Sequence, residues 1–263
     1  MRARFAVLAA LLLPGVAAAQ EREMCVGRPG LGRPACTVAP GHVLIETGLG
    51  DWTREDDEDG RVDTIQIGET LARIGIAHSA EFQINWTPYG HERERDATGA
   101  ITRTARVGDV RLGVRRNLSN PDGHGFAIAV TPFVQLPVGR TPIGAGDWGG
   151  GLIVPVTYDL TDAVQVEFTS EVEAAVDKDG HGRHLSHNEV AGFLWNVTKR
   201  FGLVGEMQAI RDRDPAKPSV QYLASAGVAW RQSDHVQFDI GTVAGLNHDA
   251  PDWRAYGGIA ALF

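Results

Sequence analysis

Few residues in this 263-residue chain have the type and spacing to do chemistry. His184 and Ser186 stand two apart, the arrangement of a histidine base beside a serine nucleophile, and such a pair could hydrolyse a lipid ester. A hydrolase would also need a group to orient the histidine, and no acidic or amide partner is identifiable nearby. His181, His184 and His187 recur every third residue beside Asp177 and Asp179, a set able to bind a transition metal. A solvated polar loop explains the same residues more simply, so no metal and no cofactor is assigned. Cys25 and Cys36 are the only cysteines, with no further metal ligands beside them. They read as a disulfide closing a Gly/Pro-rich loop. Gly149-Gly150-Gly151 follows no βα pattern and is no phosphate cradle.

The elements that carry these residues follow from a period of two. In residues 164–176 (VQVEFTSEVEAAV), Val164, Val166, Phe168, Val172 and Val176 fall on one side, and Gln165, Glu167, Glu171 and Glu173 on the other. Successive side chains of a strand point to opposite faces, so the segment has one apolar and one carboxylate-rich face. The pattern recurs over twelve stretches: 42–50, 64–74, 81–89, 107–118, 126–137, 148–160, 164–176, 189–200, 203–211, 220–230, 236–246 and 253–263. Connections alternate short and long. Among the long ones are the charged loops TREDDEDGR, HERERDATGAITR and DKDGHGRHLSH. Trp148 and Tyr158 sit at opposite ends of one apolar face, ten residues apart. At about 3.3 Å per residue and a tilt of about 45°, that separation rises roughly 23 Å, near the ~25 Å apolar band of a membrane barrel.

These features predict an all-β fold, a transmembrane up-and-down antiparallel β-barrel of about 12 strands over residues 41–263, with the apolar flank towards lipid. A soluble sandwich would turn that flank inward. Closure is what hydrocarbon demands, because every backbone N–H and C=O there must be paired and a closed sheet has no edge. Residues 1–19 read as a secretory signal peptide: basic Arg2 and Arg4, an apolar run, then an A-x-A site at Ala17–Ala19. Residues 20–40 then form a periplasmic N-terminal segment stapled by Cys25 and Cys36, free to enter or cover the periplasmic mouth. A net charge of −8 argues against nucleic acid as a partner.

On this parity the lumen receives Glu46, Glu81, Glu167, Glu171, Glu206 and Asp239 together with Arg73, Arg111 and Arg115. Charged groups in a lumen tune which solutes pass, and they can equally form a salt-bridge network that fills a narrow barrel. Both readings stay open. The outward positions around residue 193 are odd-numbered, so His184 and Ser186 face inward or lie in a loop, away from lipid.

Several stretches resemble one family. APGHVLIETG at the first strand, LARIGIAHSAEFQI, GDVRLGVRRNL and TPFVQLPVG look like the ordered strand signatures of the outer-membrane transporters labelled "MetA-pathway of phenol degradation". The similarity covers roughly residues 39–263. Gly258, Ala261 and Phe263 are similar to the C-terminal signal read by the barrel-assembly machinery, and Tyr256 stands where a polar residue is more usual. The resemblance implies a bacterial outer-membrane barrel that passes small hydrophobic or aromatic molecules by diffusion, in contact with outer-membrane lipids and without enzymatic activity. The competing reading is a non-conducting barrel serving structure or surface interaction; the lipid hydrolase on His184 and Ser186 comes third.

Overall fold

A computed structural model describes residues 22–263. The signal-peptide expectation for residues 1–19 lies outside the described residues. No helix occurs among the described residues. The chain forms β1 (Val43–Asp57), β2 (Gly60–Ile67), β3 (Thr70–Ala77), β4 (Ala80–Trp86), β5 (Tyr89–Asp96), β6 (Ile101–Arg106), β7 (Val110–Ser119) and β8 (Phe126–Leu136). It continues through β9 (Gly149–Asp159), β10 (Val164–Val176), β11 (Arg183–Asn196), β12 (Phe201–Asp212), β13 (Ser219–Ser233), β14 (Val236–Gly245) and β15 (Trp253–Leu262).

All pairings are antiparallel, and β15 returns to β1 from Leu44↔Leu262 to Arg54↔Trp253, with a bulge between Gly48 and Gly50, which closes the barrel. Segments β2 and β3, β4 and β5, and β6 and β7 are each one barrel strand with a break, so the wall has 12 strands, as expected. The three breaks are neighbours. Gly68, at a φ of 77°, interrupts the first, Pro88 removes a ladder donor in the second, and Gly108 N–H donates to the Thr87 carbonyl at the third.

The apolar flank is the outer one. Leu49, Ile67, Ile76, Phe168, Phe193 and Ile240 are exposed on the outside of the isolated chain. Aromatics form two belts. Near the short-turn end, Phe201, Trp230 and Phe238 stack at 6.5 and 5.7 Å between centroids, with Phe126, Tyr158 and Trp195 continuing the row. At the other end Trp52 meets Trp253 edge-on at 4.7 Å. These are the interfacial girdles of a membrane barrel, and the short-turn end, which also holds the chain's C-terminus, faces the periplasm.

One expectation is corrected. TREDDEDGR and HERERDATGAITR are not loops. They are the far halves of β1 and β5 with β2 and β6, paired as Arg54↔Asp63 and Arg93↔Arg103 and turned tightly at residues 58–59 and 97–100. Past the lipid both faces of a ribbon meet water, so the alternation that betrays a strand disappears while the backbone keeps pairing. The expected loop DKDGHGRHLSH is likewise shortened, since its residues 183–187 pair with β10 as the start of β11, and the long connections that remain are 137–148, 177–182, 213–218 and 246–252.

The interior is packed by the chain's own N-terminal segment. Met24 and Val38 pack on Leu44 and Ala260 near the periplasmic end, and Leu31 packs towards the other end on Leu223, Val243, Ala250 and Tyr256. The segment therefore climbs the lumen and comes back down. The Cys25–Cys36 disulfide ties its two legs, with Cα atoms 6.0 Å apart.

Candidate functional site

A loop threaded through a lumen must find partners for its backbone polar groups away from bulk water. The inward charges supply them. On the β1–β3–β4–β7 side, Arg73 Nε donates to Glu81 Oε1 at 2.7 Å, and its Nη atoms donate to the carbonyls of both Cys25 and Cys36. A single guanidinium thus holds both ends of the stapled loop. Glu46 Oε2 accepts the N–H groups of Gly27 (2.9 Å) and Arg28 (3.1 Å), and Glu81 Oε2 accepts that of Val38 at 2.7 Å. Arg115 Nη1 donates to the Pro34 carbonyl at 2.7 Å, and its Nε donates to Thr131 Oγ1 at 3.2 Å.

The opposite wall grips the tip. Glu206 accepts from the Leu31 and Gly32 N–H groups, each at 2.8 Å, and from Ser225 Oγ at 2.7 Å. The Arg28 guanidinium donates to both oxygens of Asp239 at 3.0–3.2 Å, a charge-assisted fork. Tyr256 donates its hydroxyl to the Pro29 carbonyl at 2.5 Å, and Gln237 donates to the Arg28 carbonyl at 2.9 Å. Close approach needs glycine on the wall: a Cβ at Gly258 would stand 2.5 Å from the Arg28 guanidinium, and one at Gly227 would stand 2.7 Å from Pro29 Cγ. Glu167 lies beside Glu206 at Gly32, with no cation in ion-pair range among the described residues.

Arg111 and Glu171 belong to a different cluster. Arg111 bonds Glu171 at 2.7 Å and Glu173 at 3.1 Å, and its guanidinium lies 4.0 Å from the ring centroid of inward-facing Phe133. None of these groups bonds the plug. Of the nine lumen residues singled out from the sequence, Glu46, Arg73, Glu81, Arg115, Glu206 and Asp239 hydrogen-bond the N-terminal segment. Sequence reasoning missed Arg28, Tyr256, Gln237, Phe133 and Thr169, whose Oγ1 accepts the Arg33 N–H at 2.9 Å. Tyr256 stands where the family resemblance expects another polar residue, and here its hydroxyl donates to the plug.

Two cavities flank the segment. A space of about 430 Å³ opens among Val26, Cys36, Gln165, Leu194, Val204 and Ala229, and one of about 180 Å³ opens among Leu31, Glu46, Glu69, Leu71, Asn85 and Arg254. Arg28 and Gly30 border both, so the tip of the plug is their shared partition. At the outer mouth Ile143 of the 137–148 connection packs against Gly90, where a Cβ would stand 2.6 Å from it. Asp109 anchors that connection by accepting the Gly139 and Ala145 N–H groups at 2.8 and 2.7 Å.

The hydrolase pair does not assemble. His184 directs Nδ1 to Asp177 Oδ1 at 2.8 Å and not to Ser186. The ring does have acidic partners, Asp177, Asp212 and Asp214, contrary to the sequence reading, and two of them come from the β12–β13 end of the chain. His181 and His187 are not part of the group.

A closed 12-strand barrel with an oily, girdled exterior and a polar, plugged lumen defines a transmembrane β-barrel of the outer-membrane type. The chain belongs to the family described as "Putative MetA-pathway of phenol degradation", whose model matches residues 26–263. Among solved structures it is similar to the COG4313 outer-membrane channel from Pseudomonas putida F1, at a TM-score of 0.69 and 12% identity over 87% of this chain and 98% of that one. It is also similar to the KdgM porin (TM-score 0.52, 8% identity, 84% and 99% covered). A third likeness is to the translocator domain of the autotransporter NalP from Neisseria meningitidis (TM-score 0.52, 10% identity, 85% and 88% covered). At such identities the likeness is one of fold. No curated protein sequence matches the chain.

Proposed function

We propose that this barrel is a passive outer-membrane channel for small hydrophobic or aromatic solutes, with residues 20–40 as its plug and residues 41–263 as its wall. The observation that carries the reading is the pair of cavities parted by Arg28 and Gly30. The larger one, about 430 Å³, exceeds the ~150 Å³ that suffices to hold a benzene ring, and its lining sets Val26, Leu194 and Val204 beside polar and charged groups such as Gln165, Glu167 and Arg200. Movement of the tip would join the two spaces, and solute would then descend its gradient with no cofactor and no covalent step. Membership of a family described by phenol degradation, and likeness to a COG4313 channel and a porin, support the same reading.

Glu46, Arg73, Glu81, Arg115, Glu167, Glu206 and Asp239 set how firmly the plug sits, while Arg111 with Glu171 colours the open part of the path. Lipid is the partner of the outer face. The final strand, ending at Phe263 and paired through Val43, is the segment the assembly machinery would read. The reading is non-enzymatic.

Planar-bilayer conductance and liposome uptake of phenol, for the intact chain and for a chain lacking residues 22–38, test the proposal. We expect small conductance and measurable phenol uptake for the intact chain, and both rise on deletion. Silence in both forms would make this a non-conducting barrel.

A further inference from the structure

His184 opens β11 at the outer mouth, far from the plug, and its side chain is only 6% exposed. Its Nδ1 lies 2.8 Å from Asp177 Oδ1 and 3.7 Å from Asp214 Oδ2, while Nε2 lies 2.5 Å from Asp212 Oδ1. Asp177 follows β10, whereas Asp212 and Asp214 lie at the end of β12, so the cluster joins two separate connections. Three carboxylates thus surround a ring that can carry at most one positive charge. Among the described residues, no lysine or arginine comes within ion-pair range of any of the three.

The geometry is that of a ligand set. One donor atom from each of Asp177, His184 and Asp214 falls within 4.8 Å of the others. Metal bonds of about 2.0–2.2 Å to nitrogen and carboxylate oxygen place neighbouring donors roughly 3.0–3.5 Å apart, and the separations from Nδ1 bracket that range. Asp214 is held ready. Its side chain is fully buried, Oδ1 accepts the Ala216 and Lys217 N–H groups at 2.8 and 3.0 Å, and Oδ2 accepts that of Lys178 at 2.7 Å.

The other ring nitrogen fits the backing position of such a site: Nε2 is buried, makes no hydrogen bond, and stands 2.5 Å from Asp212 Oδ1. A metal-bound imidazole commonly offers its second N–H to a carboxylate, which fixes the tautomer and strengthens the ligand. With Nδ1 on a cation the proton must sit on Nε2, where Asp212 is the carboxylate beside it.

We propose that Asp177, His184 and Asp214 bind one divalent first-row transition cation of the zinc class, with Asp212 as the carboxylate behind His184. One imidazole and two carboxylates suit a borderline cation, and water can complete the shell. The bound ion ties the 177–182 connection to the 213–218 connection and so stiffens one side of the channel mouth.

Equilibrium dialysis and calorimetry with Zn²⁺, on the folded full chain in detergent, test this. The expected result is one saturable zinc per chain, abolished in both His184→Ala and Asp214→Asn and weakened about 10- to 100-fold in Asp212→Asn. His248→Ala, on an exposed loop, leaves binding unchanged. Heat-dependent gel mobility confirms that each variant is folded. No saturable uptake by the intact chain, or uptake that survives His184→Ala, overturns the proposal. If zinc does not bind while His184→Ala makes both connections sensitive to protease, the cluster is an imidazolium latch and no metal site.

Discussion

Arg111 and Arg115 are the same residue type, four positions apart on one strand and on the same inward face, and yet they end in different surroundings. Arg115 is almost fully buried and spends its donors on plug carbonyls and Thr131; Arg111 is 27% exposed and bonds only wall carboxylates. The difference lies in what reaches each residue. The stapled loop passes beside Arg115 through the Pro34 and Cys36 carbonyls, and it does not extend to Arg111. An inward charge in a barrel is therefore a docking group or a path-lining group according to whether a second layer of chain covers it.

The strongest way to break this comparison is to remove a cation from the covered region. Arg73→Ala leaves Glu46 buried without its pair and Glu81 with only Arg115 at 3.7 Å, and it frees two carbonyls at once. The expected loss is about 3–5 kcal/mol, measured as a shift in the urea midpoint of refolded barrel. A shift no larger than that of a surface variant would show that the plug side is wet.

Next in size is the tip. Arg28→Ala removes the fork to Asp239 at the partition between the cavities, and single-channel conductance should rise several-fold, with a lowered urea midpoint because the buried Asp239 carboxylate loses its pair. Gly227→Ala should act in the same direction, since its methyl group takes the space of Pro29 at the tip. Unchanged conductance in both variants would mean that the tip does not limit passage.

The uncovered region should respond in selectivity and not in stability. Arg111→Ala leaves Glu171 and Glu173 facing the lumen, so reversal potentials in a salt gradient should move towards cation preference. Stability should change by no more than about 1 kcal/mol, because these groups remain partly hydrated. An unaltered reversal potential would place Arg111 off the path.

The smallest effect lies beyond the membrane altogether. At the β5–β6 turn, the Thr98 side chain and the N–H groups of Thr98 and Ala100 hold the Asp96 carboxyl below its usual range. A depressed carboxyl contributes fully above the ordinary value, near pH 4, and loses that contribution as pH falls through its lowered value. Amide exchange should accordingly speed up first at residues 97–100 when pH drops below about 4, and Asp96→Asn should remove that pH dependence.

Much of the architecture was legible because side-chain alternation is a local steric fact. In residues 164–176 it names Phe168 and Val172 as outward and Thr169 as inward, and the structure leaves the first two exposed and buries the third. Where both faces are wet the signal fails. Residues 53–57 read as loop, with charges at each of positions 54–57, although they pair with β2. The breaks at Gly68, Pro88 and Gly108 are written in residue types that bend a strand, but their alignment across three neighbours depends on register. His184 was visible, whereas Asp212 and Asp214 were not among its expected partners, since nearly thirty residues and a full hairpin separate them.

By itself, the sequence determined which residues turn to lipid and which to the lumen, how many strands close the ring, and that two cysteines bracket a glycine-rich segment. Each of these follows from the alternation of a strand, from the obligation to pair every backbone group in hydrocarbon, or from residue identity. Only the tertiary structure decided that the bracketed segment climbs the lumen, which arginines it covers, and where space remains around it. Those outcomes depend on contacts between residues as distant as Arg28 and Asp239, and no local periodicity encodes which inward side chain another part of the chain will reach.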